Sequence, residues 1–373
     1  MKMANNVQTY KITMTGKERI LATLHGQPVD RLCWSPLVDR YFIRSLPLLG
    51  FPALNVPDTC RLIKADVMER HCPVVDLKDD SSIKRHSRST ALGRVDIIET
   101  PVGTLTTEII DHKATGRDHI HKFPVETLDD IKTFTYINEH SFFERNYQAY
   151  DEWSQRIGND GIATAEGSAT PLQVFLMDVC GLQKTIYLLM DYEKEMKECF
   201  QAIHNQSVQG FKLMAEGPAD VIISYENTSS TVISPEYYQK YCAEFLDEYA
   251  DICHSGDKIY LTHMCGKLSV FTQQLRNGRQ DGIDSVCPPT TGDIWADEAR
   301  LGWGNDKIIV GGIEPPKLAQ MSVAETEKYV TNILDRMLIF KKFILSTGDA
   351  TAFGTPIENL LTVAKVVKNY PWK

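Results

Sequence analysis

Short apolar runs that end in polar or glycine residues recur along this chain, and each predicts a β-strand. The clearest runs are residues 161–167, 220–227, 258–265, 282–287, 308–314 and 343–349. Two shorter runs, residues 32–34 and a segment beginning at residue 65, bring the predicted strands to eight. Strands that are apolar throughout, rather than at alternate positions, are typical of a parallel sheet covered on both faces.

Helices are predicted between these strands. Thr15 and Glu18 form a capping-box pattern at the start of a helix over residues 15–24, and Thr127 is placed to cap another helix. Residues 172–190 and 194–216 are both predicted to be strongly helical.

Eight strands alternating with helices predict an α/β fold, a (β/α)8 TIM barrel. We expect one barrel domain over residues 1–373, with residues 1–13 flexible and the active site at the carboxyl ends of the strands. An open, doubly wound sheet is the alternative. No Gly-x-Gly-x-x-Gly follows the first strand, so its dinucleotide-binding version has no support.

The pattern changes to alternation of apolar and polar positions between residues 94 and 123. Val95 and Ile97 alternate with polar residues, and so do positions in the run from Val102 to Ile110. This predicts an antiparallel hairpin inserted into the barrel. Such an insertion could cover the barrel mouth.

Composition narrows the classes of partner. The 373 residues carry a net charge of −9 and are 43% apolar, which indicates a globular protein and argues against a nucleic-acid partner. No apolar run approaches the roughly 18 residues that cross a bilayer, and residues 1–16 hold no signal-peptide core. We therefore expect a cytoplasmic protein without a membrane partner. Nine scattered cysteines favour free thiols or metal ligands over disulfides.

The strand at residues 258–265 ends in His263 and Cys265, followed by Gly266. Residues two apart on a strand point to the same side, so an imidazole and a thiol converge there. Together they supply half of a zinc site. The alternative is a core histidine with satisfied hydrogen bonds beside a small buried thiol.

Three residues are candidates for a third zinc ligand. Asp349 follows the last predicted strand and is our first choice, although it could instead cap the helix that starts near residue 356. Cys287 follows the strand after His263 and could instead be a buried, inert thiol. Glu226 follows the preceding strand, where it could be a ligand, a general base or a binder of a cationic group.

The other strand exits supply the remaining candidates. We expect Tyr225, Glu226 and Asn227 to be catalytic. Glu166 and Glu314 also follow strands, and Asp39 with Arg40 follows the first one. We expect these four residues to bind substrate, although Asp39 and Arg40 could form a structural ion pair.

Several segments resemble one family, the uroporphyrinogen decarboxylase superfamily, in its methyltransferase branch. The opening motif from Met14 to Arg31 and the His263-to-Gly266 turn carry most of the resemblance. Further matching segments are residues 100–104, 233–236, 288–293 and 354–359. The family implies a (β/α)8 barrel, in agreement with the strand pattern.

The methyltransferase branch is similar to methylcobalamin:coenzyme M methyltransferases, which use His-x-Cys and a distant Cys to hold zinc. His263 and Cys265 match the first two positions, and Asp349 stands at the third. The resemblance implies Zn²⁺, a methylcobalamin or other corrinoid supplied by a partner protein, and a small-molecule methyl donor or acceptor. An aspartate ligand makes zinc a stronger Lewis acid than a thiolate does, which favours demethylation of an ether or amine over methylation of a thiol.

Two alternatives remain open. One is a metal-free decarboxylase in which Glu226 and Asp349 perform acid-base chemistry. Decarboxylation of a porphyrin is disfavoured, because the stretch that binds tetrapyrrole carboxylates in the family contains only Arg40 here, beside Asp39. The other is a corrinoid-binding chaperone or inactive relative. The chain lacks an Asp-x-His-x-x-Gly corrinoid motif, so it would need a partner to supply the cofactor.

Overall fold

A computed structural model describes residues 13–112 and 117–372. The segment predicted to be flexible, residues 1–13, thus lies outside the described residues except for Thr13, and so does part of the predicted hairpin. The strands are β1 Cys33–Trp34, β2 Val67–Cys72, β3 Val75–Asp79, β4 Lys84–Ser89, β5 Gly93–Thr100, β6 Gly103–His112, β7 Arg117–Lys122, β8 Ser141–Arg145, β9 Gly161–Gly167, β10 Val221–Tyr225, β11 Ile259–His263, β12 Gly282–Val286, β13 Ile308–Ile313 and β14 Phe343–Thr347.

The helices precede, separate and follow these strands. They are α1 Gly16–Leu24, α2 Arg40–Ser45, α3 Val56–Leu62, α4 Leu128–Glu139, α5 Tyr147–Ile157, α6 Pro171–Val174, α7 Leu182–Asp191, α8 Glu193–Ala215, α9 Pro235–Tyr241, α10 Ala243–Ser255, α11 Thr272–Asn277, α12 Ala296–Trp303, α13 Pro315–Gln320, α14 Val323–Met337 and α15 Ile357–Asn369. No helix in the described part of the chain is long and apolar enough to cross a membrane.

The eight strands predicted from the apolar runs are all present, in one sheet of order β1-β14-β13-β12-β11-β10-β9-β2. The strands β10 to β14 are almost entirely buried, in keeping with apolar runs rather than alternation. Because parallel strands end at the same edge, the residues that follow them share that edge.

Contacts group the described residues into two compact units. The first contains residues up to 69, 154–163 and those from 282 on, and the second contains 70–153 and 164–281. Within the first, β14 is the parallel neighbour of both β1 and β13, and β13 of β12. Within the second, β10 is the parallel neighbour of β9 and β11. A single domain over residues 1–373 stays a prediction.

The second unit also contains more antiparallel structure than the predicted hairpin at 94–123. The hairpin strands β5 and β6 belong to a four-stranded antiparallel sheet of order β4-β5-β6-β7, and β3 pairs with β8. Val95 and Leu105 are buried on opposite faces of the larger sheet. The insertion is therefore a small sheet, and its role as a cover for the barrel mouth stays a prediction.

The segment predicted to be helical over residues 172–190 is helical except for a break at Cys180 and Gly181. The α6 helix passes into a π-helical turn at Phe175–Val179, and α7 starts only at Leu182. Gly181, with φ of 74°, breaks the helix between them. A side chain at Gly181 would also approach the ring of Phe123 to 2.9 Å, so the break has both a backbone and a packing cause.

The helix α1 is anchored by a buried arginine. The predicted capping box of Thr15 and Glu18 is present at its start. Arg19, 2% exposed, donates from Nε to Asp30 Oδ1 at 2.7 Å and from Nη1 to Asp66 Oδ1 at 2.5 Å. Burial alone would raise the pKa of Asp30, but the Arg19 guanidinium and two backbone N–H groups lower it to about 2.

Replacing Arg19 by methionine is expected to lower the free energy of unfolding by about 3–5 kcal/mol at pH 7, because two carboxylates lose their buried partner. Since the folded-state pKa of Asp30 is lowered, its contribution is complete above about pH 4 and is lost as pH falls toward 2. The difference between wild type and variant should therefore shrink in acid.

Urea denaturation of both proteins between pH 7 and pH 2 measures this difference. Arg61 is the matched control, because it pairs with Asp58 and Asp160 but is 40% exposed. Arg61→Met should cost less than about 1 kcal/mol. Equal costs for the two variants would contradict a special role of the buried arginine.

Candidate functional site

Three of the side chains singled out in the sequence have mutually close ligand atoms. One atom each from His263, Cys265 and Asp349 lies within 4.8 Å of the others. His263 is buried, and the other two are half-buried. Among the described residues, this is the group of three or more His, Cys, Asp or Glu side chains whose ligand atoms lie close enough to hold a metal ion. Cys287 and Glu226 do not belong to it.

The turn after β11 is fixed by backbone contacts within the second unit. The carbonyl of His263 accepts N–H bonds from both Glu226 and Asn227 at 3.0 Å. A side chain at Gly266 would lie 2.5 Å from the carbonyl of Thr228. Glycine is needed there so that the turn can approach the segment that follows β10.

Asn227 contacts the thiol of this turn. Its backbone lies in the left-handed region, with φ of 45°, a conformation that asparagine tolerates better than most residues. Cys265 Sγ donates to Asn227 Oδ1 at 3.5 Å, and Asn227 Nδ2 donates to Met177 Sδ at 2.8 Å. The asparagine therefore holds the thiol from one side while being held itself from the other.

Tyr225 packs on the imidazole of His263. The two ring centroids are 4.8 Å apart, with 30° between the ring planes. Tyr225 also stacks on His71, with centroids 4.7 Å apart and 21° between the ring planes. Glu166 Oε2 lies 3.3 Å from His71 Nδ1. His71 is absent from the sequence-based candidates, although it lies near the carboxyl end of β2, after four buried positions.

Glu226, the residue after Tyr225, is fully buried. Its Oε1 accepts the N–H of Thr170 at 2.6 Å, and its Oε2 accepts the Thr170 hydroxyl at 2.8 Å. Burial raises the pKa of Glu226 to about 7, although the bonds from Thr170 favour the charged form. A catalytic role for Glu226 stays a prediction; in the structure, its carboxylate ties the end of β10 to the loop after β9.

Asp349 is held by the loop that follows β14. Its Oδ1 accepts the N–H of Ala350 at 2.6 Å. Thr347 and Thr351, on either side of it, both bond to the backbone of Leu37, which fixes the loop to the segment after β1. The helix α15 has Pro356 at its N-cap, so Asp349 does not cap that helix.

Cys287 has the surroundings of an inert thiol. It is fully buried, and burial raises its pKa to about 12. A side chain at Gly348 would approach the Sγ of Cys287 to 2.8 Å, so this glycine lets the loop pass over the thiol. None of the nine cysteines, all of which lie within the described residues, forms a disulfide.

The remaining predicted substrate-binding residues divide into two groups. Asp39 caps α2 by accepting the N–H groups of Tyr41 and Phe42, and buried Glu314 caps α13. Their carboxylates therefore have a structural function. Arg40 and Glu166 have exposed side chains. Substrate binding by these four residues stays a prediction.

The sequence profile of one family covers most of the chain. The profile described as uroporphyrinogen decarboxylase (URO-D) matches residues 105–370. The chain belongs to the uroporphyrinogen decarboxylase family. The match confirms the resemblance that the sequence motifs indicate.

Two curated relatives of this family member are methyltransferases. The methylcobamide:CoM methyltransferase MtbA of Methanosarcina mazei is 27% identical over 161 residues, which cover 43% of this chain and 44% of that protein. The MtbA of Methanosarcina acetivorans is 25% identical over 166 residues, covering 43% and 45%. The chain thus spans less than half the length of the curated relatives it matches. Both relatives bear out the resemblance to the methyltransferase branch.

A solved structure shares the fold of this family member. It is a methyltransferase from Methanosarcina mazei, with a TM-score of 0.64 over 95% of this chain and 98% of that one. At 16% sequence identity, the likeness shows the fold alone. The predicted α/β architecture with eight parallel barrel strands is confirmed.

Proposed function

We propose that this protein is a zinc-dependent methyltransferase. It moves a methyl group between a small substrate and a corrinoid carried by a partner protein. The observation that carries the proposal is the mutual approach of an imidazole, a thiol and a carboxylate to within 4.8 Å. The names of the two curated relatives support methyl transfer and a cobamide.

The donor set fits zinc. Nitrogen, sulfur and oxygen donors from His, Cys and Asp are its usual ligands, and three protein ligands with one open position are typical of catalytic zinc. Tetrahedral bonds of about 2.0–2.3 Å put ligand atoms about 3.3–3.8 Å apart. The ligand atoms of His263, Cys265 and Asp349, which lie within 4.8 Å of one another, would therefore need to approach by about 1.5 Å at most.

When bound, zinc would hold the heteroatom of the substrate at the open position and act on it as a Lewis acid. The family's usual second thiolate is an aspartate here, and a carboxylate donates less electron density than a thiolate. We therefore favour a methyl ether or methylamine as substrate over a thiol. The product would then be the demethylated compound and a methylated corrinoid.

Other residues of the chain keep the ligands in place. Tyr225 packs on the ring of His263, and Asn227 contacts the thiol of Cys265. We propose exposed Glu166 and Arg40 as candidates for substrate contact. Asp39 and Glu314 are better explained as helix caps.

The purified protein is expected to contain about one zinc ion per chain. With a reduced, cobalt(I) corrinoid and a methyl ether or methylamine, it should produce methylcorrinoid, seen as loss of cobalt(I) absorbance. Removal of the metal with a chelator should lower the rate more than tenfold, and added zinc should restore it. Metal content is measured by mass spectrometry of the dialysed protein.

The metal-free decarboxylase alternative predicts a different outcome. In that case the protein would contain no zinc and would be insensitive to chelators, and it would release CO2 from a carboxylated substrate. Such a result would overturn the zinc-dependent methyltransferase.

A further inference from the structure

Three aromatic rings form a continuous stack within the second unit. His71 packs on Tyr225 with centroids 4.7 Å apart, and Tyr225 packs on His263 at 4.8 Å. The angles between neighbouring planes are 21° and 30°, so both contacts are stacked rather than edge-on. These distances lie at the close end of the range for aromatic pairs. The His263 imidazole therefore stacks on a tyrosine ring that itself stacks on a second histidine.

Hydrogen bonds hold two rings of this stack, His71 and Tyr225. Glu166 Oε2 lies 3.3 Å from His71 Nδ1, and the Tyr225 hydroxyl lies 3.2 Å from His71 Nε2. An ionised carboxylate can only accept, so His71 Nδ1 donates to Glu166, and Nε2 with the tyrosine hydroxyl forms the second contact of this ring. The same hydroxyl also lies 3.5 Å from the carbonyl of Arg70. Glu166 and Tyr225 therefore contact both ring nitrogens of His71.

The burial of the stack falls from one end to the other. His263 is 3% exposed, whereas His71 is 46% and Glu166 is 53% exposed. An exposed His-Glu pair contributes little to the stability of the fold. The stability of the fold therefore does not explain this pair. The stacking of His71 on Tyr225, next to the proposed zinc ligand His263, suggests a role at the site instead.

We propose that Glu166 and His71 are positioning residues for the zinc ligand His263 and act through the ring of Tyr225. This inference rests on the proposed function and adds two residues to its site. The orientation of a metal-bound imidazole is commonly fixed by groups outside the ligand shell, and loss of such groups typically lowers metal affinity about 10–100-fold. Here the orienting contact is a stacked ring, which is held in turn by a hydrogen-bonded pair.

The test measures zinc affinity by chelator competition and the visible spectrum of the cobalt(II)-substituted protein. His71→Ala removes both the stack and the hydrogen bonds and should lower zinc affinity about tenfold. It should also shift the cobalt(II) ligand-field bands, because the imidazole plane is less constrained. Tyr225→Phe and Glu166→Gln keep the rings and should have smaller effects.

His71→Phe separates the two contributions. It keeps a ring on Tyr225 but loses both hydrogen bonds, so it should restore part of the affinity that His71→Ala loses. A purely structural role would not change the cobalt(II) spectrum of a folded variant, and thermal unfolding shows which variants are folded. If His71→Ala fails to fold, zinc affinity and the cobalt(II) spectrum are measured on His71→Phe and Glu166→Gln instead.

The matched control is His86→Ala. His86 and Glu99 form a similar pair in the same unit, with Nε2 and Oε2 3.4 Å apart and exposures of 56% and 51%, but within the antiparallel sheet. This variant should bind zinc with wild-type affinity and give the wild-type cobalt(II) spectrum. If the wild type binds zinc and the His71 variants keep its zinc affinity and cobalt(II) spectrum, this inference alone is overturned. A wild type that binds no zinc would overturn the proposed function as well.

Discussion

Replacing His263 by alanine is expected to reduce bound zinc from about one ion per chain to less than a tenth. The substitution removes the only nitrogen donor of the three-residue group, which leaves Cys265 and Asp349. Two protein ligands are fewer than catalytic zinc sites use. Methyl transfer should fall by more than about a hundredfold, beyond the 10–100-fold typical of residues outside the ligand shell. Metal content and the rate of methylcorrinoid formation are the two measurements.

His254→Ala is the control for this substitution. His254 lies at the end of α10, shortly before β11, and bonds to Asp281 at 2.9 Å. The His254→Ala protein should bind as much zinc as the wild type and form methylcorrinoid at the same rate. A His263→Ala protein that keeps its zinc would remove the basis of the proposed function, because another set of ligands would then have to hold the metal.

Replacing Asp349 by cysteine is expected to tighten zinc binding at least about tenfold, or about 1.4 kcal/mol. The change supplies the second thiolate that the family's pattern implies, and soft sulfur donors are well matched to zinc. A cysteine sulfur is one bond closer to the backbone than an aspartate oxygen, but its longer bond to zinc recovers part of that reach. The cobalt(II) form should show roughly twice the thiolate charge-transfer intensity.

The substrate preference should change together with the ligand. With a less Lewis-acidic metal, demethylation of an ether or amine should slow relative to methylation of a thiol. Asp349→Asn is the isosteric control and should lose affinity, because a neutral amide replaces the carboxylate. Cys287→Ser tests the rival ligand and should leave zinc content unchanged. Loss of zinc in Cys287→Ser, with retention in Asp349→Asn, would reassign the third ligand to Cys287.

The eight barrel strands were predictable because burial on both faces leaves a direct mark on the sequence. A strand such as β13 is apolar at nearly every position and is fully buried. The capping boxes of α1 and α4 were predictable for an equally local reason, since the cap and its partner lie three residues apart.

The antiparallel sheet was underestimated because one of its strands has no apolar pattern. All six side chains of β4 are exposed, and every one of them is charged, polar or histidine. Backbone pairing with β5 makes this segment a strand, and backbone hydrogen bonds carry no sequence signature. The break between α6 and α7 was missed because a helical pattern of apolar residues continues through Gly181.

At the site, too, features set by residues close in sequence could be predicted, whereas contacts between distant residues could not. The strand β11 ends at His263, so Cys265 lies in the turn after it and not on the strand as predicted. The pair could still be found without a structure, because its two residues are only two positions apart in the chain. His71 belongs to a strand almost 200 residues earlier in the chain, and only its stacking on Tyr225 connects it to the pair. The burial of Glu226 and the capping function of Glu314 likewise depend on neighbours that the sequence does not identify.

The sequence by itself determined the order of strands and helices, the edge at which polar side chains emerge and the His-x-Cys pair. These features depend on the periodicity of burial and on contacts within a few residues. Only the tertiary structure shows that a carboxylate oxygen of Asp349 belongs to the group of ligand atoms within 4.8 Å of one another, and that Cys287 does not belong to this group. The physical reason is that both residues follow strands at the same edge, and the packing of each loop determines which side chain reaches the donors and which is buried beneath a glycine.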